Sequence, residues 1–374
     1  MFSKPLIIIL GISLLLGVSS ASADTSQVVL ERADTLVNLA RADSTSLAVI
    51  DTLIEKAEYA EAETQARELL AKVEVEHGAE SLEAAVVIDR VIRSFVLADK
   101  NVDEATIELA KRAIVIKETA LGTEHQDVAV SLNSLGNLYL NRKDLSNAER
   151  IFSRVVTIRE TALGSEHPST VGSLYNLART YYRQHRYAEA ERLGDSVLAI
   201  REKINGPVHF DVVSSLALLG AICRRQARYE ETETYYRRAL EVVEQVFGPE
   251  HLQVARYAAI LGGVYRGLAR YDEAEAAYKR ALAIRELALG PEHPDVAEVL
   301  FQLAVSYYHA LGGLSNAELL LCRVIEIYEK ALGREHPRLA TILSLLGGVY
   351  SQLGRYTEAH ALHNRALAIV EESR

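Results

Sequence analysis

The residues best suited to chemistry are six histidines, His125, His167, His209, His251, His293 and His336, which recur at an almost constant interval. Neutral imidazole is a common metal ligand and titrates near neutral pH, so such a ladder invites a zinc or proton-transfer reading. Zinc needs its ligand atoms about 2 Å from one ion. Helices of neighbouring structural units pack about 8–10 Å apart, so equivalent histidines in successive units stand too far apart to share an ion. The expected role is structural, a hydrogen bond at a helix start that Pro168, Pro294 and Pro337 prepare. His360 and His363, one helical turn apart, form a second pair open to a metal or a packing reading. Cys223 and Cys322 lie in different units, and a disulfide needs Cα atoms within about 7 Å, so free thiols are expected. No Walker loop, G-x-S-x-G, H-E-x-x-H or C-x-x-C motif occurs. Neither an enzyme nor a resident metal or cofactor is expected.

Composition narrows the partner. The 374 residues are 49% hydrophobic and 25% charged, ordinary values for a folded protein, with a net charge of -10. Phosphate backbones demand a basic face, so nucleic acid is excluded as a partner. At the N-terminus Lys4 precedes an apolar run, Leu6 to Val18, and then Ala21-Ser22-Ala23. A positive start, a short apolar stretch and a small-residue cleavage site make a signal peptide, residues 1–23. The apolar run is shorter than the about 20 residues that span a bilayer, although an uncleaved anchor is the alternative. The expectation is export to the periplasm or the medium, with no membrane span after cleavage behind Ala23.

The histidines sit in an internal repeat. Leu121-Gly122-Thr123-Glu124-His125 returns as Leu163-Gly164-Ser165-Glu166-His167, Phe247-Gly248-Pro249-Glu250-His251, Leu289-Gly290-Pro291-Glu292-His293 and Leu332-Gly333-Arg334-Glu335-His336. Asn205-Gly206-Pro207-Val208-His209 is a weaker copy. The glycines step by 42, with one insertion near Ala310 to Leu314. After Gly248, Val254, Ala258, Leu261 and Tyr265 recur at helical spacing, and Tyr271, Ala274, Tyr278, Ala281 and Ile284 mark a second helix. Neither helix can bury its apolar face alone, so each unit is a hairpin stabilised by stacking on its neighbours. Gly194 stands where other units have Phe152, Tyr236 and Tyr278, so its hairpin is expected to be less well filled. Arg159-Glu160, Arg201-Glu202 and Arg285-Glu286 recur in the second helix and read as solvated faces and ion pairs between units.

Leu132-x-x-Leu135-Gly136-x-x-Tyr139, followed by Ala148 and Phe152, resembles the tetratricopeptide repeat. The 42-residue period with its LGxEHP linker resembles more specifically the repeats of kinesin light chains and similar bacterial proteins. The resemblance implies an all-α, right-handed superhelical solenoid of about eight helix-turn-helix repeats. Residues 24–45 would cap it with an amphipathic helix, 46–120 would form two degenerate repeats, and 121–374 six well-formed ones. It further implies that the first helix of each unit lines a concave, peptide-binding surface. That register selects Asn133, Asn137 and Asn141, then Asn176, Arg179 and Arg183, then Leu218 and Arg225, then Ile260, Phe301 and Gln302. Amides and arginines in the first half suit a peptide backbone and carboxylates, and the second half suits apolar anchors. The expected partner is therefore a protein or peptide segment, acidic with apolar anchors. A second reading is a structural protein that self-associates through Leu362, Leu367, Ile369 or Val370 of an uncapped last repeat. The signal-peptide reading makes one direct prediction: N-terminal sequencing of natively produced protein should begin at Asp24, and recovery of Met1 would refute it.

Overall fold

A computed structural model describes residues 44–98, 100, 102–310 and 312–372. The signal peptide and nearly all of the expected capping helix lie outside the described residues. Sixteen helices follow one another with no strand among the described residues. They are α1 (Ser44–Glu55), α2 (Tyr59–His77), α3 (Leu82–Leu97), α4 (Glu104–Leu121), α5 (Gln126–Asn141), α6 (Leu145–Leu163), α7 (Pro168–Arg183) and α8 (Tyr187–Asn205). Then come α9 (Phe210–Arg225), α10 (Tyr229–Phe247), α11 (Leu252–Gly267), α12 (Tyr271–Leu289), α13 (Pro294–His309), α14 (Leu314–Leu332), α15 (Pro337–Gln352) and α16 (Tyr356–Glu372). The chain forms two compact units that part between Ile151 and Phe152. No described helix is long and apolar enough to cross a membrane.

The linkers explain where helices stop and start. Gly248 closes α10 with φ 85° and ψ 161°, a conformation open to glycine and strained for any side chain. Its surroundings would leave room for a Cβ, so the backbone angle alone requires glycine there. Three residues later a histidine caps the next helix. His125, His167, His209, His251, His293 and His336 each accept, through Nδ1, the backbone N–H two residues ahead at 3.1–3.2 Å. An acceptor must carry a lone pair, and Nδ1 carries one in the Nε2–H tautomer of imidazole. The ladder is a set of helix caps, as its spacing suggested.

Each strap between a second helix and the next first helix is also repeated. In the first unit, Lys117 Nζ donates to the Asp127 carbonyl at 3.2 Å and pairs with the buried Asp89, which accepts from Ser131 Oγ at 2.7 Å. In the second unit Arg159 reaches the Ser169 carbonyl at 2.9 Å, Arg201 the Asp211 carbonyl at 2.8 Å and Arg285 the Asp295 carbonyl at 2.6 Å. Other arginines, at the hairpin turns, tie hairpin to hairpin. Arg228 pairs with Glu191 of the preceding hairpin and Glu231 of its own, Arg270 with Glu233 and Glu273, and Arg355 with Glu318 and Glu358. The Arg270 and Arg355 guanidinium carbons also lie 4.7 and 3.8 Å from the Tyr265 and Tyr350 ring centres.

Within hairpins of the second unit, glycine on the first helix meets a ring on the second. A Cβ added to Gly220 would lie 3.0 Å from Tyr236, one on Gly262 2.8 Å from Tyr278, and one on Gly347 2.7 Å from His363. His363 therefore fills a packing position. Gly194 corrects an expectation: Leu219 of the next hairpin leans over it, with Cδ2 2.9 Å from the place of a Cβ, and fills the gap that the missing ring leaves. Cys223 is buried, and desolvation pushes its thiol up to about 11, while Cys322 is half-buried; both are free. At the last hairpin Leu367 and Val370 are exposed, but Ile369 is 3% exposed and belongs to the core, packed where a helix of this pitch turns inward.

The caps give a sharp test. His167→Ala should lower stability by about 1 kcal/mol while His167→Asn, which can still accept the N–H, leaves it within a few tenths. Urea unfolding monitored by circular dichroism reads both, and equal losses would show that the ring acts by packing alone.

Candidate functional site

The residues selected by register fall in the two units and are described separately. On α5 of the first unit, Asn133, Asn137 and Asn141 are half-buried, and the Asn137 amide donates to the Asn133 carbonyl at 2.9 Å. That bond spends part of its donor capacity inside the helix. On α7 of the second unit, Asn176 and Arg179 are half-buried and Arg183 is exposed. The Arg179 guanidinium carbon lies 5.8 Å from the Tyr175 ring centre, within cation–π range. Arg225 on α9 is exposed, and its Nε donates to Tyr182 Oη at 3.4 Å.

Leu218 departs from the expected anchor role. It is 6% exposed and packs in the core with Leu219 and Tyr236, so it can serve only as a floor. Ile260, Phe301 and Gln302 are half-buried. Ile260 and Gln302 line one cleft of about 360 Å³, formed by α9, α11, α12 and α13. Phe301 packs against the core that runs from α13 to α16.

The cleft holds a charge cluster that register alone missed. Arg224, Arg256, Arg266 and Arg285 line it, against the single carboxylate of Glu298. Arg285 is committed to the Asp295 carbonyl, and Arg266 donates to Gln302 Oε1 at 3.0 Å. Arg224 and Arg256 are exposed and form no ion pair among the described residues. A signal was present in the sequence: Arg256 lies one turn before Ile260, on the same stripe of α11. The volume is that of a site for a side chain or a small ligand.

A second cluster has a different reading. Ligand atoms of Glu191, Cys223 and Glu231 lie within 4.8 Å of one another. Arg228 stands among them, donating to both oxygens of Glu191 at 2.8 and 2.9 Å and to Glu231. The carboxylates are therefore already neutralised, and the group is the hairpin clamp with cysteine in the place of tyrosine.

Comparison with known proteins agrees with this geometry. A family profile described as tetratricopeptide repeat matches residues 127–203, 211–287, 258–330 and 323–372. No curated protein matches the chain. Among solved structures, the kinesin light chain nearly identical TPR-like repeats of Podosopora anserina are 26% identical, with a TM-score of 0.51 over 56% of this chain and 99% of that one. BtubC (BKLC) from P. vanneervenii is 23% identical, with a TM-score of 0.52 over 65% and 92% of the two chains. Aspartyl phosphate phosphatase F from Bacillus subtilis is 13% identical with a TM-score of 0.56 over 95% of each, a likeness of fold alone. With profile matches over more than half its length and consecutive helical hairpins among the described residues, the chain belongs to the tetratricopeptide repeat family.

Proposed function

We propose that the chain is a non-enzymatic scaffold that binds an extended or helical protein segment along its first-helix face, outside the cytoplasm. The ligand carries carboxylates and one or two large apolar side chains. The observation that carries this reading is the cleft around Ile260, where Arg224 and Arg256 form no ion pair among the described residues of a chain of net charge -10. Guanidinium groups present forked donors that match a carboxylate, and charge-assisted hydrogen bonds are the stronger kind. Ile260 and Val299 supply the apolar part of the same cleft, and Gln302 is held in place by Arg266. Arg179, Arg183 and Arg225 extend the cationic stripe over α7 and α9. Asn176 adds an amide there, and Asn133, Asn137 and Asn141 offer amides on the first unit. Export rests on the signal-peptide pattern of residues 1–23.

A displayed library of random peptides tests the proposal without knowledge of the natural partner. Selected peptides should be enriched in Asp or Glu together with a large apolar residue. Arg224→Glu with Arg256→Glu should weaken their binding at least about tenfold, each lost charged hydrogen bond being worth about 1.5–3 kcal/mol, with circular dichroism unchanged. Selection of basic peptides, or binding indifferent to the double reversal, would remove the cleft from the account.

A further inference from the structure

The repeats act as one another's reference, and two successive linkers break the pattern in the same direction. Two residues before the linker glycine, four units have Ala120, Ala162, Ala288 and Ala331, whereas these two have Ile204 and Val246. The linker acid is Glu124, Glu166, Glu250, Glu292 or Glu335 in five units and Val208 in the sixth. The next helix opens with Gln126, Pro168, Pro294 or Pro337 elsewhere, but with Phe210 and Leu252 here. None of these larger side chains has been drawn into the core. Ile204, Val208, Phe210, Val246, Phe247 and Leu252 are each 40–46% exposed.

The two linkers form one surface. Phe210 meets Phe247 edge to face with ring centres 5.7 Å apart, and Phe247 stacks on the His251 ring at 4.6 Å. The six side chains together show about 500 Å² of accessible surface, a size at which the largest apolar patch of a monomer is often functional. This surface lies at the linker ends of the helices, and none of its six residues lines the arginine cleft, so the peptide-binding reading does not account for it.

We infer that this patch is the centre of a contact between two copies of the chain, paired about a twofold axis. Two observations favour a second copy. The first is area: a standard interface buries roughly 800 Å² per partner and a homodimer interface is about 65% apolar, so the apolar share is about 520 Å², the size of the patch. The second is charge. Copies with a net charge of -10 repel one another, and the linker acid, present in every other unit, is absent at Val208 where the patch begins. Lys203, beside Ile204, is already paired with Glu166 at 2.6 Å, and Glu250 remains the one carboxylate in the second linker. A twofold contact uses the same patch on both copies, so one apolar surface satisfies itself and the pair closes without further growth.

Sedimentation velocity on the natively produced protein tests the pairing. The wild type should be dimeric at about 20 µM. Val208→Glu and Phe210→Gln each introduce the residue type found at the same place in another repeat, so the fold should survive, as circular dichroism can verify. Each should raise the dimer dissociation constant at least about tenfold. A wild type that stays monomeric at about 200 µM overturns the inference, and so does a dimer that both substitutions leave intact. A monomer that instead sediments with anionic lipid vesicles, and loses that behaviour on Val208→Glu, would also overturn it and assign the patch to a membrane surface.

Discussion

Everything in this fold depends on the fact that no helix here can bury its apolar face without a neighbour. The solution in the second unit is a small residue on the first helix against a ring on the second. Gly220 and Tyr236, and Gly262 and Tyr278, meet so closely that one added carbon would overlap the ring. Close approach lets Tyr236 and Tyr278 be almost wholly buried, and burial of such a ring removes about 150–250 Å² from water. Where the ring is missing, at Gly194, the next hairpin lends Leu219 instead. The pairing is thus shared between neighbours, as expected when stability is a sum of unit and interface terms.

Close stacking in turn decides which residues remain at the surface. The straps from Arg159, Arg201 and Arg285 and the turn clamps of Arg228, Arg270 and Arg355 engage charged side chains between neighbouring helices. The hairpin with the insertion lacks a clamp arginine. There Glu275, at the place of Glu191 and Glu233, turns to Lys279 of its own helix at 2.5 Å. On the first-helix face of the second unit, Arg224 and Arg256 form no ion pair among the described residues and stand beside the apolar part of one cleft.

The helical hairpins, the glycine linkers and the capping role of the histidines were legible in the sequence because each is local. A 42-residue step and a 3.6-residue period constrain them without knowledge of neighbours. The candidate site was legible only in part. Register selected Ile260 and Gln302, which line one cleft, and also Leu218, which is buried in the core. It passed over Arg224 and Arg256, which lie on neighbouring helices and converge only when the hairpins stack. The burial of Leu218 and the convergence of Arg224 on Arg256 are properties of the interface between hairpins and leave no periodic trace in one of them. Gly194 makes the same point, since the side chain that fills its gap lies 25 residues further along the chain.

The account stands or falls on the glycine–ring contact, and a double-mutant cycle at Gly262 and Tyr278 measures it directly. Ala304 and Leu321 occupy the equivalent places in the next hairpin, so the chain itself supplies a tolerated alternative pair. Gly262→Ala should cost about 1–3 kcal/mol by overpacking, despite its better helix propensity, and Tyr278→Leu should cost a similar amount by leaving space. The double substitution should restore the contact, with a coupling of at least about 1 kcal/mol, read from amide exchange in α11 and α12 under urea. Strictly additive losses would show that glycine and ring do not depend on each other, and that stacking in this protein is held by other means.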